Sequence, residues 1–293
     1  MKILIVWIVT CLIWSTVWLF IKLGLRDLPP VSFAGIRLFI ALLVLLPFIA
    51  LRRIPLPRRK VDLLMIAVTG LLLLGLNYAL VFWGAQYISS GLTAVLQAAT
   101  PAFGLVFAGY YLPQERFTVL KFSALLVGIG GVVIIFSNQL QIAGWTALLG
   151  CAAVVGGALC VACSYVLVKA HGGHLHPLVL TAGQMICGLV PLVVYGLMRE
   201  GNPLRFHWTA TAALSLLYLA LAGSVAAFGL NYWLLQRTDA TKILLMSIVE
   251  PPLAMLLGVV VLGEAVSVRM LWGSACILLS VGLILFKPAD ARN

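Results

Sequence analysis

The sequence predicts an all-α polytopic membrane protein: ten transmembrane helices forming two inverted-topology five-helix repeats. Three observations predict it. Only 9% of the 293 residues are charged while 63% are hydrophobic, with a mean hydropathy of +1.15, whereas a soluble domain covers itself with about 25% charged residues. Apolar runs of the length that crosses a ~30 Å hydrocarbon core, about 20 residues, follow one another almost without pause. Landmarks of the first half also return in the second: Asn77-Tyr78, Pro101, Glu115 and Phe136 are echoed by Asn231-Tyr232, Pro251, Glu264 and Phe286, the mark of a duplicated unit.

Span one, 3–21, carries Trp7, Cys11, Trp14 and Trp18 on one helical face with Ser15 beside them. It runs into Lys22 and Arg26 without a small-x-small cleavage site, so it reads as a span and not a signal peptide. Span two, 31–50, follows Pro29-Pro30 and holds Arg37 about 9 Å below the surface at 1.5 Å per residue. A long arginine can snorkel from that depth, which favours a topology or packing role over an anion-attracting role at a cavity mouth. Span three, 62–83, ends with Asn77, Tyr78 and Phe82; span four, 89–110, contains Gln97, Thr100 and Pro101. Span five, 118–137, has little polar character beyond Ser and Gly, and a short loop, 138–144, joins the halves.

Span six, 145–168, places Ser164 and Tyr165 in the region corresponding to the tryptophans of span one. The following loop has His171, His174 and His176; with no carboxylate or thiol among them and two glycines, it reads as a polar loop and not a metal site. Span seven is 177–198, and span eight, 209–233, ends with Phe228, Asn231 and Tyr232. Span nine, 242–262, holds Ser247, Glu250, Pro251 and Pro252; span ten is 267–286, with 287–293 a tail. The repeats are therefore 1–137 and 145–286. Five spans per repeat is an odd number, so the second enters the membrane upside down.

The net charge of +11 is distributed as a topology signal. Alternate loops starting from the N-terminus collect thirteen basic residues, among them Arg52, Arg53, Arg58, Arg59 and Lys60, against five on the other side: Lys22, Arg26, Arg199, Arg205 and Arg269. The positive-inside rule then puts both termini in the cytoplasm of a multi-pass protein of the cell (inner or plasma) membrane. Charge spent in this way does not call for a nucleic-acid partner. All six cysteines fall within spans, where they act as small apolar fillers despite the Cys160-x-x-Cys163 spacing.

Glu250 is the most informative residue. It lies roughly 12 Å into the membrane, where a carboxylate must be paired, hydrated or protonated. Pro251 and Pro252 follow it, removing two backbone donors and freeing carbonyls of the preceding turn. Thr93, Gln97 and Thr100 match Ile243, Ser247 and Glu250 at steps of four and three, which puts each set on one helical face. Trp14, Ser15, Trp18, Tyr78, Phe82, Ser164, Phe228 and Tyr232 with the amides Asn77, Gln97 and Asn231 supply the makings of an amphipathic pocket, the alternative for the aromatics being an interfacial belt. Pro101, Pro251 and Pro252 are candidate hinges. No phosphate loop, HExxH helix or cofactor motif appears, so no cofactor, metal or enzymatic role is expected.

Two five-helix repeats, the early Trp14-Ser15, the prolines of spans four and nine, Glu250-Pro251, and Leu262-Gly263-Glu264 before the last span resemble the EamA-type exporters of the drug/metabolite transporter superfamily. The first half departs with Leu112-Pro113-Gln114-Glu115 in place of Leu-Gly-Glu. The resemblance implies a ten-helix fold, a central cavity and export of small metabolites such as amino acids. The expectation is a secondary active transporter with a proton as coupling ion, carried by Glu250. The rivals are an uncoupled facilitator of the same fold and, from another class, a membrane-embedded sensor or enzyme, against which the inverted duplication argues.

Overall fold

A computed structural model of the chain describes residues 2–111, 119–235, 237 and 246–285. Among the described residues there is no strand. A chain this apolar is confined to helices because hydrocarbon offers no partner to a free N–H or C=O. Numbered by span, α1 is Lys2–Gly24, α2 Pro30–Leu51, α3 Lys60–Gly84, α4 90–111, α5 119–143, α6 Gly144–His171, α7 Pro177–Glu200, α8 210–235, α9 Met246–Leu262 and α10 Val268–Leu285. Seven of these are long and apolar enough to cross a membrane, and shorter apolar stretches in α5, α9 and α10 supply the other three among the described residues.

The helices pair as an inverted duplication requires. α2 packs on α7, α4 on α9 and α5 on α10, while α1 on α8 answers α6 on α3. Small residues bring the backbones close: a Cβ on Gly84 would lie 2.6 Å from the Gly150 carbonyl oxygen, and one on Gly131 2.6 Å from that of Gly273. Polar loop contacts repeat too. Thr209 Oγ1 donates to Asp27 Oδ2 (2.6 Å), and His174 Nε2 meets Asp62 Oδ1 (3.1 Å). His174 follows Asp27, and Thr209 follows Asp62, by the same 147 positions that separate Lys22 from Lys169.

Three departures from ideal helix position the site. α4 is interrupted at Ala98–Ala99, ahead of Pro101. Pro101 has no N–H for the Gln97 carbonyl, four residues back, and the Thr100 hydroxyl donates to that oxygen instead (2.7 Å). α3 and α8 each widen into a π-turn, Leu71–Leu76 and Leu221–Ala226. These turns lie 150 positions apart, the offset that also relates Tyr78 to Phe228 and Thr100 to Glu250. That register sets Asn77 against Ala227, and leaves Asn231 one turn further along α8.

The joint between the halves differs from expectation. Residues 138–143 continue α5 as helix, and only Gly144, at φ 74°, breaks it. The stretch contains no Gly or Pro before that point, so nothing stops the helix sooner. The Leu262-Gly263-Glu264 motif has a structural role. Gly263 turns the chain at φ 67°, and Glu264 takes the backbone N–H of Ser90 (2.8 Å) and its hydroxyl (2.8 Å), closing the N-terminus of α4. Glu200 does the same for α2, accepting from the N–H groups of Val31 (3.0 Å) and Ser32 (2.6 Å).

Candidate functional site

A cavity of about 500 Å³ runs through the middle of the bundle. Its wall draws on α1, α3, α4, α6, α8 and α9, and on α2 through Arg37. At one end it reaches Ile21 and Phe82; at the other it reaches Lys169 in the last turn of α6. Both repeats contribute, which is where an inverted-repeat transporter holds its substrate.

Of the residues singled out in the sequence, Trp14, Trp18, Asn77, Tyr78, Phe82, Gln97, Thr100, Pro101, Phe228, Glu250 and Pro251 line this cavity. The aromatics meet in two pairs: Trp14 meets Phe228 edge-on at 6.3 Å between centroids, and Tyr78 stacks on Phe82 at 5.6 Å. The amides are held from behind. Asn77 Nδ2 donates to the Leu73 carbonyl (3.1 Å) inside the π-turn, while Gln97 Nε2 donates to the Val154 carbonyl (2.9 Å) and lies 3.4 Å from Asn77 Oδ1. Among the described residues, no basic side chain comes within ion-pair distance of Glu250.

Others do not reach the cavity. Ser15 is fully buried with its hydroxyl donated to the Cys11 carbonyl one turn back (2.7 Å), and Ser164 donates to the Thr69 carbonyl of α3 (3.2 Å). Both are packing contacts. Asn231 is not part of the wall, for the register reason given above, and its buried Oδ1 has no partner among the described residues. Pro252 faces outward. The side chains of Tyr232 and Ser247 lie outside the described residues, as do Glu115 and Phe286.

Two basic residues of the cavity wall have roles that the sequence does not reveal. Lys169 read only as a loop charge. Arg37, whose depth favours a topology or packing role over an anion-attracting one at a cavity mouth, is 4% exposed and turns into the cavity, where Nε donates to Ser224 Oγ (3.1 Å) and the guanidinium lies 5.1 Å from the centre of the Tyr78 ring. Ser224 belongs to the second π-turn, whose widened coil lets its hydroxyl also reach the Leu219 carbonyl (3.0 Å). The histidine loop does have an acidic neighbour, but from α3: Asp62, on His174. Among the described residues no three His, Cys, Asp or Glu side chains gather as a metal site.

The model of the EamA-like transporter family matches residues 1–137 and 148–286. The chain is similar to the transporter YoaV of Bacillus subtilis (strain 168), 30% identical over 91% of this chain and 90% of that one. It is 24% identical, over 94% of its length and 91% of the relative's, to an Escherichia coli (strain K12) protein named "Probable amino-acid metabolite efflux pump". One crystal structure of a protein 18% identical covers 97% of this chain and 96% of its own with a TM-score of 0.66, a likeness of fold.

Proposed function

Because this chain belongs to the EamA-like transporter family, we propose that it is a secondary active transporter exporting a small amphipathic metabolite of the amino-acid class from the cytoplasm. Transport proceeds by alternating access across the cell membrane, with both termini cytoplasmic. The proton is the coupling ion and Glu250 its carrier. Pro101 and Pro251 act as hinges that let the halves of α4 and α9 tilt.

The observation that carries this reading is the setting of Glu250. An acid stands in the wall of a cavity that both repeats build, among aromatic rings and held amides, without a basic partner among the described residues. An unpaired carboxylate at membrane depth is costly unless it is hydrated or protonated, so its occupancy by a proton responds to what fills the cavity. Relatives named as transporters, one of them for amino-acid metabolite efflux, support the substrate class.

The test is reconstitution of the full chain into liposomes with a panel of amino acids, with and without an imposed pH gradient. Uphill movement is expected to collapse with the gradient. Glu250→Gln matches the acid in size and still hydrogen-bonds, so it is expected to keep counterflow exchange but lose gradient-driven accumulation. Normal uphill transport by a well-expressed Glu250→Gln protein would leave an uncoupled facilitator as the reading.

A further inference from the structure

Arg37 is a charge without a counter-ion among the described residues. At 4% exposure it is removed from water and headgroups alike. Its contacts are one hydroxyl, Ser224 Oγ, and one ring face, Tyr78. Among the described residues no carboxylate lies within ion-pair distance, and the two terminal nitrogens make no hydrogen bond. A buried charge is retained only when something pairs with it. Nη2 packs against Gly223, where an added Cβ would lie 3.5 Å from that nitrogen and 2.8 Å from Val17 Cγ2, so the glycine makes room for the guanidinium itself; the space for a partner is the cavity that Arg37 lines. The equivalent residue of the second repeat is Gln184, a neutral amide already satisfied by Thr69 Oγ1 (2.9 Å). The duplication has thus placed a cation at this position in one repeat only; the cavity's other basic residue, Lys169, lies at its opposite end.

We propose that Arg37 is the carboxylate-binding residue of the transport cavity: the substrate's carboxylate takes up the open fork of the guanidinium, with the Tyr78 ring behind it. The inference rests on the transporter reading and names the group its substrate must carry. A planar fork of N–H donors matches a carboxylate in bidentate fashion. Val17 packs beside Gly223 next to it, and Lys169 lines the cavity's other end, so at this position a single guanidinium neutralises a monoanion but would leave a doubly charged phosphate half-compensated.

The position of Glu250 extends the match. Its segment of α9, from Met246 to Leu253, packs on α1 around Cys11 and Trp14, while Arg37 approaches α1 at Val17 through Gly223. Three to six residues of helix separate these levels, or roughly 5–9 Å. One amphipathic zwitterion lying along α1 can therefore present its carboxylate to Arg37 and its ammonium toward Glu250, with Trp14, Tyr78 and Phe228 covering its apolar part.

The test is binding to the full chain in detergent, read by tryptophan fluorescence and thermal shift, with matched probes: L-phenylalanine, L-phenylalaninamide, phenethylamine and 3-phenylpropionate, and the corresponding L-leucine set. Compounds with a carboxylate are expected to bind the wild-type protein at least about tenfold tighter than their amide or amine counterparts. Arg37→Gln should abolish that preference, and Arg37→Lys should restore part of it. Equal binding of acid and amide, persistence of the preference in Arg37→Gln, or no binding of any acid to the wild-type protein would each overturn the proposal. If Arg37→Gln does not accumulate, the wild-type probe series and Arg37→Lys decide. Acid-selective, Arg37-dependent binding without gradient-driven transport would remove proton coupling and leave this site standing. Uphill transport that accepts amide and acid alike would do the reverse.

Discussion

Lys22 shows how a single side chain can carry more than its sequence suggests. By pattern it is one of five basic residues on the sparsely charged side of the membrane. In the structure its ammonium donates to the carbonyls of Ala85 (2.7 Å), Gln86 (3.1 Å) and Ile88 (2.7 Å), capping the C-terminal end of α3 and fixing its turn into α4. Lys22→Met is expected to cost about 1.5–3 kcal/mol, the range for hydrogen bonds to a charged group. It should appear as a lowered thermal midpoint in detergent, with Lys22→Arg recovering part; an unchanged midpoint would make the cap dispensable. Site residues were legible where a polar group interrupts an apolar run at helical spacing, as with Gln97, Thr100 and Glu250. They were not legible where the direction of a side chain decides. Depth alone could not say whether Arg37 turns outward or inward, and nothing in the sequence shows that the Ser15 hydroxyl is consumed by its own helix.

Helices reveal their existence through length and apolarity, and their irregularities much less. All ten spans follow from runs of about 20 residues, while the π-turns at Leu71–Leu76 and Leu221–Ala226 have no sequence signature comparable to a proline. The continuation of α5 through 138–143 was missed because polar residues such as Asn138, Gln139 and Gln141 suggest a loop without forbidding a helix. Seams between helices are set by where glycine permits contact, and this can be tested within one helix. At Gly131 a new Cβ meets the Gly273 backbone oxygen, which cannot move aside; at neighbouring Gly130 nothing among the described residues lies within 4 Å. Gly131→Ala should therefore lose about 1–3 kcal/mol through overpacking of the α5–α10 seam. Gly130→Ala should be neutral or gain up to about 1 kcal/mol from helix propensity. Thermal midpoints of the two variants check the contrast, and equal effects would mean that α5 and α10 do not cross there.

Taken whole, the molecule is two copies of one unit whose small differences give it a direction. Asp27–Thr209 and Asp62–His174 are symmetric contacts on opposite sides of the bundle. The α4 cap by Glu264 and the α3 cap by Lys22 both lie on the side away from the N-terminus, whereas Lys169, the counterpart of Lys22, lines the cavity at the other end. The cavity reaches Ile21 and Phe82 toward the first side and Lys169 toward the side that carries the basic loop 52–60, so its basic end is the one on the basic side. The positive-inside rule predicts that side to be the cytoplasm, the orientation that the proposed export requires. The orientation is open to direct measurement, since the six native cysteines are unpaired and sit in helices, which allows a cysteine-free background. Leu56 and Leu204 are both exposed, in the loops before α3 and α8 that the inverted repeat sets on opposite sides. Leu204→Cys should react with a membrane-impermeant thiol reagent in intact cells, and Leu56→Cys only after the membrane is opened. Labelling of both from one side would contradict an odd number of spans between them; a reversed pattern would keep the inverted repeats but turn the transporter around, so that the same cavity would load from outside.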